Sequence, residues 1–158
     1  MTLYFGYEKR QVIQALRFHF ISRKEIRLML ILVNVFALAS VTLYALKKIT
    51  PDAFLVGSFL WIILMISFWF ILPFMVYRKA VTFRHTFTMD FRDDGFTLSH
   101  EKGSRNWPWT ALQSYLESPH FFHLYFDSRS FLLVPKNGTD SDGVLALRNL
   151  IKEKVKKG

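Results

Sequence analysis

The chain has 158 residues, room for one or two small units, with a 51% hydrophobic fraction and 17 phenylalanines. There is no cysteine, so disulfides, thiolate metal sites and thiol nucleophiles are excluded. The formal charge is +9, but the basic residues cluster beside apolar runs. There they serve membrane topology and attraction to anionic headgroups, so nucleic acid is not the expected partner.

Taken in chain order, "TLYFGY" suits a strand able to pair with a later domain. Next, "YEKRQVIQALRFHFISRKEIR" places Val12, Ile13, Leu16 and Phe20 at helical spacing, with Arg10, Arg17, Arg23 and Lys24 interspersed. The pattern predicts an amphipathic helix leading into a membrane or lying along it. Residues 1–27 therefore form an N-terminal strand and basic helix, with Arg17, Arg23, Lys24 and Arg27 as candidate contacts to membrane lipids.

Residues 28–46 carry no charge, and as a helix they measure about 28 Å, close to the ~30 Å hydrocarbon core. Residues 53–76 are a second uncharged run. Together, 28–76 predict a transmembrane hairpin, turned by "KKITPD", where Thr50 caps the second helix, Pro51 fits its first turn and Asp52 suits its dipole. Arg23, Lys24 and Arg27 precede the hairpin, Arg78, Lys79 and Arg84 follow it, and only Lys47 and Lys48 lie in the turn. This bias predicts both termini in the cytoplasm. Asn34, strongly polar within the first run, is expected to make an interhelical polar contact. Pro73 is expected to kink or end the second span.

From Val81 to Phe91, apolar residues and His85 alternate with polar ones, the signature of a half-buried strand over all eleven residues. "RDDG" and "EKGS" are turns. Trp107 and Trp109 flank Pro108, which favours a sheet edge because it lacks an N–H. "TALQ" reads as a corner, Tyr115–Leu116 as a strand, and "FFHLYF" and "FLLV" as a hairpin around "DSRS". The last segment predicts a helix capped by Asp140 or Ser141, with Val144, Leu147, Ile151 and Val155 on one face. Residues 80–158 thus predict a small antiparallel barrel or sandwich of six or seven strands, closed by a C-terminal helix.

No residue set calls for catalysis, a metal or a cofactor. His120 and His123, three apart on a strand, point to opposite faces and cannot share a metal. Asp93 and Asp94 belong to a glycine turn. His85, His100 and Glu101 are the polar groups an enzyme would need to bring together.

The order of features resembles the YcxB-like family of bacterial membrane proteins. A membrane hairpin is followed by strands, then Trp109 and Leu112 in a "W-x-x-L" element, Glu117, the aromatic hairpin ending in Pro135 and Lys136, and a helix with "LRNLIKEKV". The resemblance implies a cytoplasmic domain similar to pleckstrin-homology (PH) domains, on a multi-pass protein of the bacterial inner membrane. It implies no catalytic residues. The expected function is a non-enzymatic, membrane-anchored module that docks a protein partner, with Trp107, Trp109 and Lys136 as candidate contacts. The alternatives are an anionic-lipid or membrane-state sensor, or a small subunit of a homo-oligomeric transporter.

Overall fold

The computed structural model describes all residues, 1–158, and divides into two compact units. The first comprises Met1–Ala15 and Val81–Gly158, and the second Leu16–Ala80. The architecture is α+β, with two antiparallel sheets and two long apolar helices; the sheets do not close into a barrel.

In the first unit, β1 (Thr2–Phe5) pairs antiparallel with β2 (Phe87–Phe91), with Leu3 opposite Met89 and Phe5 opposite Phe87. β3 (Gly95–His100) and β4 (Gly103–Pro108) complete a sheet in the order β1-β2-β3-β4. β5 (Ser114–Glu117), β6 (Phe121–Tyr125) and β7 (Phe131–Pro135) form the second sheet. The alternating apolar residues Leu3, Phe5, Phe87, Met89, Phe91 and Phe96 enter one core with Phe122, Leu124, Leu132 and Val134.

α5 (Ser141–Lys154) adds Leu147 and Ile151 to that core, and Val155 just beyond it is buried there too. Its N-terminus is capped by Asp140, whose carboxylate accepts from the Gly143 amide at 2.8 Å. Beyond the helix the chain lies along β5. The Tyr115 amide donates to the Lys156 carbonyl and the Gly158 amide to the Tyr115 carbonyl, both at 2.9 Å.

Strand structure begins later than the alternation predicts. Val81–Arg84 form a 3₁₀ turn, and β2 starts only at Phe87. The reason is pairing: β1 reaches Phe87 with Phe5 and ends there, so residues 81–86 have no neighbouring strand. Trp109 likewise does not continue a strand, because it opens the 3₁₀ corner Trp109–Ala111.

α1 (Lys9–Ser22) begins in the first unit and ends in the second. Val12 and Leu16 are buried, as the spacing predicts. α2 (Lys24–Ala45) is followed by α3 (Pro51–Ile66), a π-helical stretch Ser67–Ile71, and α4 (Leu72–Lys79). The Thr50 hydroxyl accepts from the Ala53 amide at 3.4 Å, so the predicted cap is formed. Lys24–Ala45 and Pro51–Lys79 are each long and apolar enough to cross a membrane. Pro73 neither ends nor starts this helix. The chain absorbs it by widening to π geometry just before it, where the Leu72 amide donates to Ser67 rather than Phe68.

Asn34 makes a different contact from the one expected. Its Nδ2 donates to the Leu30 carbonyl of its own helix at 2.8 Å. The i−4 carbonyl is within reach of a short side chain without any partner helix, and that local bond is the one formed.

Leu3 is fully buried opposite Met89. Leu3→Ala should cost ~2–5 kcal/mol of the first unit's stability, read as an earlier thermal transition of the detergent-solubilised protein by tryptophan fluorescence. An unchanged transition would mean that β1 is not part of the folded sheet.

Candidate functional site

The first unit manages three of its four sheet edges. β1 lies against the turn Lys136–Gly138, where a Cβ added to Gly138 would press on the Tyr4 carbonyl at 3.3 Å. β5 is lined by Lys156–Gly158. At β7 the Tyr7 hydroxyl donates to the Leu133 carbonyl at 2.7 Å. β4 is hydrogen-bonded to β3 alone, and Ser104, Arg105 and Asn106 are exposed. An antiparallel edge presents alternate N–H and C=O groups outward, a template for an added strand.

Packing from beneath fixes that edge. Trp107 lies over Phe96 and Phe126, with ring centroids at 5.6 and 5.7 Å, and the Arg105 guanidinium sits 5.1 Å from the Trp107 ring. Opposite them, Gly95 must be glycine, because a Cβ there would collide with the Trp107 carbonyl. A pocket of about 120 Å³, lined by Arg92, Asp94, Thr97, Asn106, Trp107 and Pro108 among others, opens beside the edge. Pro108 ends the strand without needing a ladder donor.

Of the candidate contacts in this unit, only Trp107 is partly exposed beside the edge. Trp109 is buried at 5% exposure, and its Nε1 donates to the Arg92 carbonyl at 2.9 Å, so it serves the core. Lys136 is also committed inside the fold. Its Nζ donates to Glu117 Oε1 at 2.7 Å and to the Ser118 carbonyl at 2.8 Å, and lies 5.0 Å from the Phe122 ring. Arg148 of α5 grips the same carboxylate, with Nη2 at 2.7 Å from Oε1 and Nε at 3.1 Å from each oxygen. This triad ties β5, the end of β7 and α5 together. The spacing of Glu117, Lys136 and Arg148 in sequence offers no local signal for it.

The triad's electrostatics follow from its contacts. The Arg148 hydrogen bonds, opposed by partial burial and helped by Lys136, hold the Glu117 carboxyl at about 2, below its ordinary 4.5. In the second unit, burial and then the nearby Arg23 charge lower His19 to about 4 from 6.5.

The histidines separate as strand geometry predicts: His120 is exposed and His123 fully buried, its Nε2 2.9 Å from the Ser118 hydroxyl. The His85 and His100 rings come within 6.2 Å of each other, and His100 Nδ1 accepts from the Lys102 amide at 3.1 Å.

The basic candidates of the second unit differ in their engagement. Arg17 Nε donates to the Trp69 carbonyl at 2.8 Å. Arg23 faces Glu25 at 3.9 Å, Arg27 reaches back to the Ile21 and Ser22 carbonyls at 3.4 Å, and Lys24 is exposed. Sequence reasoning marks Arg17 as basic and amphipathic, but it does not indicate the carbonyl it meets.

Two acid-induced losses of stability are expected. His19 has its pKa lowered, so the unfolded chain takes up its proton first and stability falls as pH drops from 6.5 towards 4. Glu117, also lowered, contributes fully above pH 4.5, and that contribution disappears as pH falls towards 2. Denaturant titrations across pH 2–8 should lose the lower step in Glu117→Gln, which should also cost ~1–2 kcal/mol near neutrality. Persistence of the lower step in that variant would break the assignment.

Neither a curated protein nor a solved structure matches this chain. The family model described as YcxB-like protein matches residues 91–151, from the last residue of β2 into α5. Trp109, Glu117, Pro135 and Lys136 all fall inside that match, and the structure shows their use: corner packing, the ionic triad and the end of β7. Residues 91–151 are similar to the YcxB-like family, the same family that the sequence resembles.

Proposed function

We propose that the protein is a non-enzymatic, membrane-anchored docking module. Its two long helices cross the bacterial inner membrane, and its two-sheet unit takes an extended segment of a protein partner along β4 on the cytoplasmic side. The observation that carries the docking is the open edge itself: of four sheet edges, β4 is the one with neither a covering segment nor a side-chain hydrogen bond from another element, and it has a side-chain pocket beside it.

Exposure supports the membrane anchor. Phe36, Leu38, Leu55 and Phe59 are each more than 60% exposed on helices without a charged residue at their centres. Apolar surface of that extent is solvated by lipid and not by water. Both ends of the hairpin lead into the same unit, through residues 1–15 and 81–158, which supports both ends on one side of the membrane. The positive-inside bias makes that side cytoplasmic. A four-stranded sheet, a three-stranded sheet and a terminal helix, in that order, support a PH-like domain.

The absence of native cysteine makes the topology directly testable. Lys48→Cys should react with a membrane-impermeant maleimide from outside the inner membrane, and Ser104→Cys only after permeabilisation. The reverse pattern would invert the topology. A photo-crosslinking side chain at Asn106 should yield one discrete protein adduct in native membranes, and the same group at Asp142 on α5 should not. Identical adducts from both positions, or none, would remove the docking edge.

A further inference from the structure

The helix widens to π geometry over Ser67–Ile71, just before Pro73, which has no N–H to donate. Within this stretch the Trp69 carbonyl accepts from Arg17 Nε at 2.8 Å, between two segments of the same compact unit. The guanidinium also lies 5.7 Å from the Trp69 ring and 5.3 Å from the Phe70 ring. It is therefore held by one nitrogen and two rings. Its two terminal nitrogens make no hydrogen bond to the protein. Those nitrogens form a planar pair of donors whose geometry matches a phosphate.

The position along the helices agrees with that chemistry. Tyr44 stacks on Phe54 at 4.5 Å, and a Cβ on Gly57 would touch the Ser40 hydroxyl at 3.7 Å. Extending this antiparallel register brings Trp69 level with roughly residue 28, next to Arg27, where the first apolar run begins. That is the polar boundary of the spans and the usual depth of an interfacial tryptophan. Arg23, Lys24, Arg27, Arg78 and Lys79 belong to the same end of the hairpin by sequence, and Glu25 is its only acid.

We propose that Arg17, seated on the Trp69 carbonyl, is a binding residue for the phosphate of an anionic phospholipid at the cytoplasmic face. The proposal rests on the membrane reading above. Arg17 supplies the directed donors, and the surrounding cations supply a field that disfavours zwitterionic headgroups.

The test uses the full chain in detergent, titrated with short-chain phosphatidylglycerol, phosphatidylcholine or inorganic phosphate, with bound molecules counted by native mass spectrometry. Wild type should prefer phosphatidylglycerol, and Arg17→Gln should weaken its binding roughly tenfold or more. Arg17→Lys should recover only part of the loss, since it keeps the charge without the planar fork. Trp69→Leu provides a second route that leaves the cation in place. It removes one of the two rings beside the guanidinium and should also weaken binding.

Undiminished phosphatidylglycerol binding in Arg17→Gln would overturn the proposal. Wild-type affinity in Trp69→Leu would overturn the seating. Displacement by equimolar inorganic phosphate would overturn the lipid as the source of the phosphate. Alkaline carbonate extraction separates these failures from failure of the membrane reading, because only the latter would release wild type from the membrane pellet.

Discussion

The pairing of β1 with β2 is the constraint on which the rest of the structure depends. Four residues at the start of the chain hydrogen-bond to residues 87–90, across an intervening apolar hairpin. Closing a loop of that length costs conformational entropy that grows only slowly with length. The return is the burial of Leu3 and Phe5 against Met89 and Phe87, in a core that neither chain segment supplies alone. The same pairing places the segments before and after the long helices in one unit.

The two sheets are then joined by means suited to a small unit. Aromatic side chains fill the space, with Phe91 stacked on Trp109 at 6.1 Å and Phe96 packed between both tryptophans. A single carboxylate, Glu117, gathers a lysine and an arginine from distant parts of the chain and so ties α5 to β5. Covering three edges and leaving β4 open is a difference within one fold between surface that has been protected and surface that remains available. The YcxB-like match spans much of this arrangement, from β2's end to α5.

Much of this was legible from local pattern, and particular residues show the limit. The Thr50 and Asp140 caps, the helical face of Leu147 and Ile151, and the strands at 114–117, 121–125 and 131–135 all follow from spacing that reports which side of an element meets water. Val81–Arg84 shows where the method fails. Its alternation continues into β2 without a break, yet the residues form a 3₁₀ turn because no strand lies beside them. Trp107 and Trp109 look equivalent around Pro108, but one borders an open edge and the other is interior. Lys136, an unremarkable lysine after a strand, turns out to be held by Glu117 and the Ser118 carbonyl.

By itself, the sequence determined the two apolar helices, the basic bias at their ends, most of the strands and the family likeness, because each is a property of neighbouring residues and their period. Only the tertiary structure decided that the first strand pairs with β2, which sheet edge stays open, which cations are spent on Glu117, and that Arg17 meets the Trp69 carbonyl. These are contacts between residues 19 to about 90 positions apart. No local period encodes such contacts, since they exist only once the chain has brought both partners to the same place.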